Sequence, residues 1–291
     1  MRAARRVITR LSLSRRIPPD ALHRPNETSL YLFGLCGGAA AHWLNRVVRA
    51  FDVRTGRLDA RDAYTPPNGE HVHDVEYSAE SDSLFVATYH TDGVIVRSLA
   101  RRTDGQWSEC HLMQVAPEGD KWIHLRVLRD GTLFWSQCDT DAIHVCRANC
   151  RGIQCARVAL PATHRGFDAQ LAGNERRLAA ALSDGSVALF RVDTEPAALV
   201  QLSRVMLAGA NFPLFCGDSL LVVVATDSDT GGVVGEVKSF DSFTTTDGRL
   251  QSDRQLIPRD DRLFILSWSF VEGTLFAWDQ NSKELLLFNA A

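Results

Sequence analysis

Short runs of apolar and β-branched residues alternate along this chain with polar turns built on Asp or Gly, and the pattern recurs six times. The clearest copies of one strand are Arg46–Val53, Gly93–Arg97, Ala142–Arg147 and Ser186–Arg191; fainter ones are Gly235–Asp241 and Glu284–Phe288. β-branched and aromatic residues dominate these runs, as a pleated, half-buried surface requires. The turns between them, such as Arg129-Asp130-Gly131 and Ser183-Asp184-Gly185, supply the positive φ angles that tight hairpins need.

Taking Val48, Ile95, Ile143, Val187, Val237 and Leu285 as equivalent points, the steps are 47, 48, 44, 50 and 48 residues. Blades of four strands repeat at ~40–50 residues. The second unit reads as strands Val72–Ser78, Leu84–Tyr89, Val94–Leu99 and Gln106–Met113. The third reads as Trp122–Leu128, Thr132–Gln137, Ala142–Arg147 and Ile153–Leu160, and the fourth as Phe167–Ala172, Leu178–Leu182, Ser186–Val192 and Leu199–Leu207. No linker or charge block breaks the series. The expectation is therefore an all-β, six-bladed β-propeller of four-stranded antiparallel blades, one domain over residues 1–291. The chain stops just after the third strand of the sixth blade, so Arg6–Leu13 is expected to supply the missing outer strand and remove two exposed edges.

The same N-terminal segment has a second reading. Residues 1–16 hold Arg2, Arg5, Arg6, Arg10, Arg15 and Arg16 and no acid, a composition that also fits a mitochondrial targeting segment. Over the whole chain the formal net charge is −3, which offers no global attraction for nucleic acid or an anionic membrane. No apolar run approaches the ~20 residues of a membrane helix. Seven cysteines, an odd number, with no secretory leader, predict reduced thiols and a cytoplasmic or nuclear location. Cys138, Cys146, Cys150 and Cys155 crowd together around His144, but their spacing does not match the short paired gaps of zinc sites.

Leu178–Phe190, with Asp184-Gly185-Ser186-Val187 at its centre, resembles the core of the WD40 repeat, Phe190 standing where Trp is usual. Val47–Gly56 resembles the end of such a repeat, again with Phe51 for Trp, and His71, Val75, Ser78, Asp82 and Asp92 fall near that family's spacing. Gly131–Ile143, and more loosely Gly273–Asn281, are similar to the YWTD and NHL propellers. These resemblances touch about four of six blades and imply a propeller of a kind that mostly serves as a protein-binding platform.

In a propeller the first strand of each blade lines the central channel. Aligning His73-Asp74-Val75, Ile123-His124-Leu125, Phe167-Asp168-Ala169, Phe212-Pro213-Leu214 and Phe264-Ile265-Leu266 puts Asp74, His124 and Asp168 at one level. Two carboxylates and a histidine there suit a divalent metal or a general base, as in lactonase-type hydrolases. The alternative is that they bond backbone groups and channel water. No nucleophile elbow, phosphate loop or His-Glu-x-x-His accompanies them. For binding, the loop candidates are His71, His73, Lys121, Trp122, His164, Arg165, Asn211 and Phe212. Gly37–Asn45 is expected to be a short helical insertion presenting Trp43, and Asp227–Gly232 a hairpin tip.

The function these residues indicate is a non-catalytic scaffold that takes protein or peptide partners on one loop face and the channel mouth. No catalytic residue, cofactor or resident metal is assigned. The alternative is a small-molecule hydrolase with a channel metal. A third reading is nucleic-acid binding through a free, basic N-terminus.

Overall fold

The computed structural model describes residues 11–17, 31–34, 39–44, 47–52, 58–67, 70–78, 81–90, 93–104, 107–115, 123–149, 152–225, 237–245, 248–256, 265–271, 274–279 and 284–290. Among these residues there are six antiparallel sheets of four strands each. They are built from β1 (Leu11–Ile17), β2 (Tyr31–Gly34), β3 (Ala39–Leu44), β4 (Val47–Asp52), β5 (Leu58–Tyr64), β6 (His71–Ser78), β7 (Ser83–His90) and β8 (Gly93–Arg101). There follow β9 (Trp107–Val115), β10 (Ile123–Val127), β11 (Thr132–Gln137), β12 (Ala142–Asn149), β13 (Gly152–Ala159), β14 (His164–Ala172), β15 (Glu175–Leu182) and β16 (Ser186–Thr194). The chain ends with β17 (Ala197–Met206), β18 (Ala210–Cys216), β19 (Ser219–Ala225), β20 (Val237–Thr244), β21 (Gln251–Leu256), β22 (Ile265–Val271), β23 (Thr274–Asp279) and β24 (Glu284–Ala290).

Five sheets are consecutive meanders, from β2-β3-β4-β5 to β18-β19-β20-β21. The sixth has the order β1-β24-β23-β22, so the N-terminal segment does complete the last sheet. The described strand is Leu11–Ile17, which shares Leu11–Leu13 with the expected Arg6–Leu13 and runs four residues further. Residues 6–10 lie outside the described residues. All six equivalent points fall in third strands, β4, β8, β12, β16, β20 and β24.

Two expectations are corrected. Gly37–Asn45 is not a helical insertion: Ala39–Leu44 is β3, paired with β2 through Tyr31↔Trp43 and with β4 through Trp43↔Val48. Alanine is a strong helix former, but propensity is a weak prior, and ladders on both sides override it. The cysteines are not all reduced: Cys146 of β12 and Cys155 of β13 form a disulfide. The Asp227–Gly232 tip lies outside the described residues.

The chain divides into two compact units, one of Met1–Arg16, Cys138–Asp141 and Ala159–Ala291, the other of Ile17–Gln137 and Ala142–Val158. Each has its own core. In the first, Ala179, Ala181, Val187 and Leu189 of one sheet meet Phe215, Leu220 and Val222 of the next. In the second, Phe85, Ala87, Val94 and Val96 meet Ile123, Leu125, Leu133 and Trp135. Small residues on one face receive large ones from the other, and each fully buried large side chain contributes about 1.5–3 kcal/mol. The turn at Gly185 (φ 79°) donates its N–H to Leu182 O, and Asp184 Oδ1 accepts from the amide of Ser186, as an Asp-Gly hairpin requires.

Candidate functional site

The first strands carry the polar residues on which a catalytic reading depends, and the backbone decides what those residues can do. Asp74 lies in β6 opposite Ala87, with a bulge between Val72 and Asp74. Its Oδ2 accepts a 2.7 Å hydrogen bond from the backbone N–H of Leu125 in β10, and its Oδ1 accepts one of 2.9 Å from Val75. Asp168 repeats this in the other unit. It lies in β14 opposite Ala179, only 4% exposed, and its Oδ2 accepts from the backbone N–H of Phe215 in β18 at 2.6 Å. Each aspartate thus clasps the first strand of the following sheet to its own. Charge-assisted bonds to backbone amides are stronger than neutral ones, and here they satisfy donors inside a packed core.

The clasps sit in different surroundings. Around Asp74 the charge is dense: Arg126 Nη1 stands 3.8 Å and His124 Nδ1 3.9 Å from Oδ2, and Arg126 pairs with Glu76 at 2.8 Å. Arg126 also donates to its neighbour's carbonyl, Leu125 O, at 2.7 Å. Asp168 is more deeply buried than Asp74, and Cys216 beside it has its thiol pKa pushed up by burial and by the Asp168 charge. Among the described residues no three His, Cys, Asp or Glu side chains converge as metal ligands. His144, from the cysteine-rich stretch, stacks on Trp135 with centroids 3.9 Å apart.

A second polar centre, invisible to motif reading, lies in the sheet of β6–β9. Arg97 of β8 is 2% exposed and donates to both oxygens of Glu70, at 2.5 and 2.6 Å. It also donates to Thr88 Oγ1 at 2.8 Å and to Glu109 at 2.9 Å, while Thr88 donates to Glu70. Nearby Tyr64 has its pKa raised to about 12, chiefly by burial. The available signal was a lone Arg inside the apolar run Val94–Leu99, since a buried charge needs a partner.

The loop candidates divide. In the first unit the segment before β14 is stitched to two turns: Asp139 N–H donates to His164 O, His164 N–H to Thr140 O, and Ser183 N–H to Thr163 O. That stitching buries His164 completely, so His164 is withdrawn from the binding surface. Its ring meets Phe167 edge-on. Asn211 is likewise buried and donates to Gly209 O. Phe212 (φ 35°) packs over Gly166, where a Cβ would stand 2.7 Å from the Phe212 ring, so only glycine fits. Arg165, Phe212 and, in the other unit, His73 are partly exposed. His71 begins β6 and Trp43 lies within β3; Lys121 and Trp122 lie outside the described residues.

No protein-family model matches the sequence, and no curated protein matches it. Solved structures do. The periplasmic gluconolactonase PpgL of Pseudomonas aeruginosa is similar with TM-score 0.64 at 20% identity, over 89% of this chain and 80% of that one. The β-propeller domain of Cps50 (Swd1) from Myceliophteria thermophila is similar with TM-score 0.56 at 9% identity, over 97% and 100%. A chain of the Mitotic Checkpoint Complex is similar with TM-score 0.58 at 11% identity, over 99% and 95%. At these identities the likeness establishes the fold alone, and that fold is a β-propeller.

Proposed function

We propose that this chain is a non-catalytic propeller scaffold that holds protein or peptide partners on its loop ends. The observation that carries the reading is the use of Asp74 and Asp168 inside the fold. The carboxylates a channel metal or general base would need are engaged by the amides of Leu125 and Phe215. Similarity to a chain of the Mitotic Checkpoint Complex, an assembly of proteins, supports the same reading. The backbone-stitched loops around Thr140, Thr163 and Gly185 offer the rigid platform that recognition favours, with Arg165 at hand. Affinity capture with the wild-type chain and with Trp43→Ala, Trp122→Ala and Arg165→Ala tests it. The expected result is loss of specific partners in at least one variant; identical capture by all would reject these surfaces.

A lactonase-type hydrolase is the second reading, supported by the likeness to PpgL. It predicts chelator-sensitive hydrolysis of gluconolactone that Asp74→Ala or Asp168→Ala abolishes.

A further inference from the structure

Sulfur gathers at one place in the second unit. Met113 of β9 stands opposite Val96 and is partly buried against the core that takes in Cys146 of β12, itself opposite Leu133. Cys155 of β13 is bonded to Cys146, and its Sγ lies 3.2 Å from Met113 Sδ. Three sulfur atoms from three strands and two neighbouring sheets therefore meet inside one compact unit. Cys146 is fully buried, Met113 half-buried and Cys155 exposed, so the group is reached from solvent at one member.

We propose that this trio, once its disulfide is reduced, is a binding site for Cu(I). In the oxidised chain two of the sulfurs are spent on each other. A dithiol supplies two electrons and two protons: the Sγ–Sγ bond breaks, Cys146 and Cys155 become thiols, and the dithiol closes to its own cyclic disulfide. Cu(I) then displaces both thiol protons and is held by two thiolates and the Met113 thioether. Soft thiolate and thioether ligands select Cu(I), whereas structural zinc takes four ligands. The geometry asks for little movement. β12 and β13 are hydrogen-bonded neighbours, and the two cysteines have Cα atoms 4.1 Å apart, so the thiols stay side by side after the bond breaks. A metal ~2.3 Å from each of three sulfurs spaces them ~4 Å apart. Met113 Sδ, now 3.2 Å from Cys155, need withdraw by less than about 1 Å, which its unbranched, flexible side chain permits. Reoxidation removes both thiolates, so disulfide and bound metal exclude each other. Such a site is independent of the scaffold reading.

The test uses the full chain, reduced with dithiothreitol and desalted under argon. Cu(I) is added as its acetonitrile complex in competition with the colorimetric chelator bathocuproine disulfonate. Reduced wild type is expected to hold one Cu(I) against the chelator and the oxidised chain none, with three sulfur neighbours in X-ray absorption at the copper edge. Cys155→Ser is expected to abolish retention. Met113→Leu, a volume-conserving change that keeps both cysteines, is expected to weaken binding by at least the ~10–100-fold that loss of an outer-shell partner costs. Cys110→Ser removes an exposed free thiol of β9 and is expected to leave binding unchanged. No retention by reduced wild type, equal retention by the oxidised chain or by the Cys155 or Met113 variant, two sulfur neighbours in place of three, or loss in Cys110→Ser would overturn the proposal.

Discussion

In the sheet of β6–β9 the third strand carries Arg97 where the sheet of β14–β17 carries Phe190. The register makes the two positions equivalent: Ala87↔Val96 and Ala179↔Leu189 stand opposite the clasping aspartates, and Val86↔Arg97 and Leu178↔Phe190 are the next pairs along. Thr88 then corresponds to Ala180, and Glu70, four residues before Asp74, to His164, four before Asp168. Both sheets use the same aspartate clasp. At the equivalent positions one has a buried ion pair, the other the buried Phe190 and His164. The apolar filling stabilises simply by being buried, whereas the ionic one is tolerable only because every donor of Arg97 near Glu70 is met. One strand scheme therefore accepts two chemistries.

The sharpest way to break the comparison is to leave the ionic filling incomplete. Arg97→Met strands Glu70 in the core and is expected to cost about 3–5 kcal/mol in denaturant unfolding. Copying the other sheet with Glu70→Leu, Thr88→Ala and Arg97→Phe together is expected to return most of that loss, since removing a whole buried pair is often neutral. A triple variant as unstable as Arg97→Met would show that the sheets are not equivalent. Next come the clasps: Asp168→Ala leaves the Phe215 amide unsatisfied in a dry setting and is expected to cost about 2–3 kcal/mol. Asp74→Ala, in a half-wet setting where the Asp74 side chain is 13% exposed, is expected to cost about half as much. Equal losses would contradict the difference in surroundings.

Cys155→Ser removes the covalent tie between β12 and β13 and is expected to lower stability by about 2 kcal/mol, with dithiothreitol reproducing the loss in wild type and not in the variant. The smallest effect concerns Asp241 of β20, whose pKa is raised by burial despite a hydrogen bond from Ser239. A carboxyl raised in the folded state favours folding as it gains its proton. Stability from this group therefore grows as pH falls through the folded pKa and is penalised above it. Asp241→Asn is expected to raise stability at neutral pH slightly, by under ~1 kcal/mol after screening, and the gain should vanish in acid.

How much of this was legible follows from the range of each signal. Strands and turns were readable because Asp184-Gly185 and the apolar alternation around it act within a few residues. β3 was misread because Ala39-Ala40-Ala41 carries helix preference locally, while its two ladders come from the folded sheet. Asp74 and Asp168 could be aligned, and bonding to backbone groups was one of their two readings, yet which amides they would hold could not be read. Their partners are backbone amides 51 and 47 residues away, and an amide leaves no mark on residue type. Arg97 had a local signal, but Glu70 lies 27 residues upstream beside a Gly that reads as a turn.

The account turns on the aspartates being structural clasps. Native-state hydrogen exchange at the Phe215 amide, compared in wild type and Asp168→Ala, tests this most directly. Strong protection in wild type that collapses by orders of magnitude in the variant, while the neighbouring Leu221 amide stays protected, is the predicted result. Protection at Phe215 that survives loss of the carboxylate would mean Asp168 is free for other chemistry, and would contradict the account.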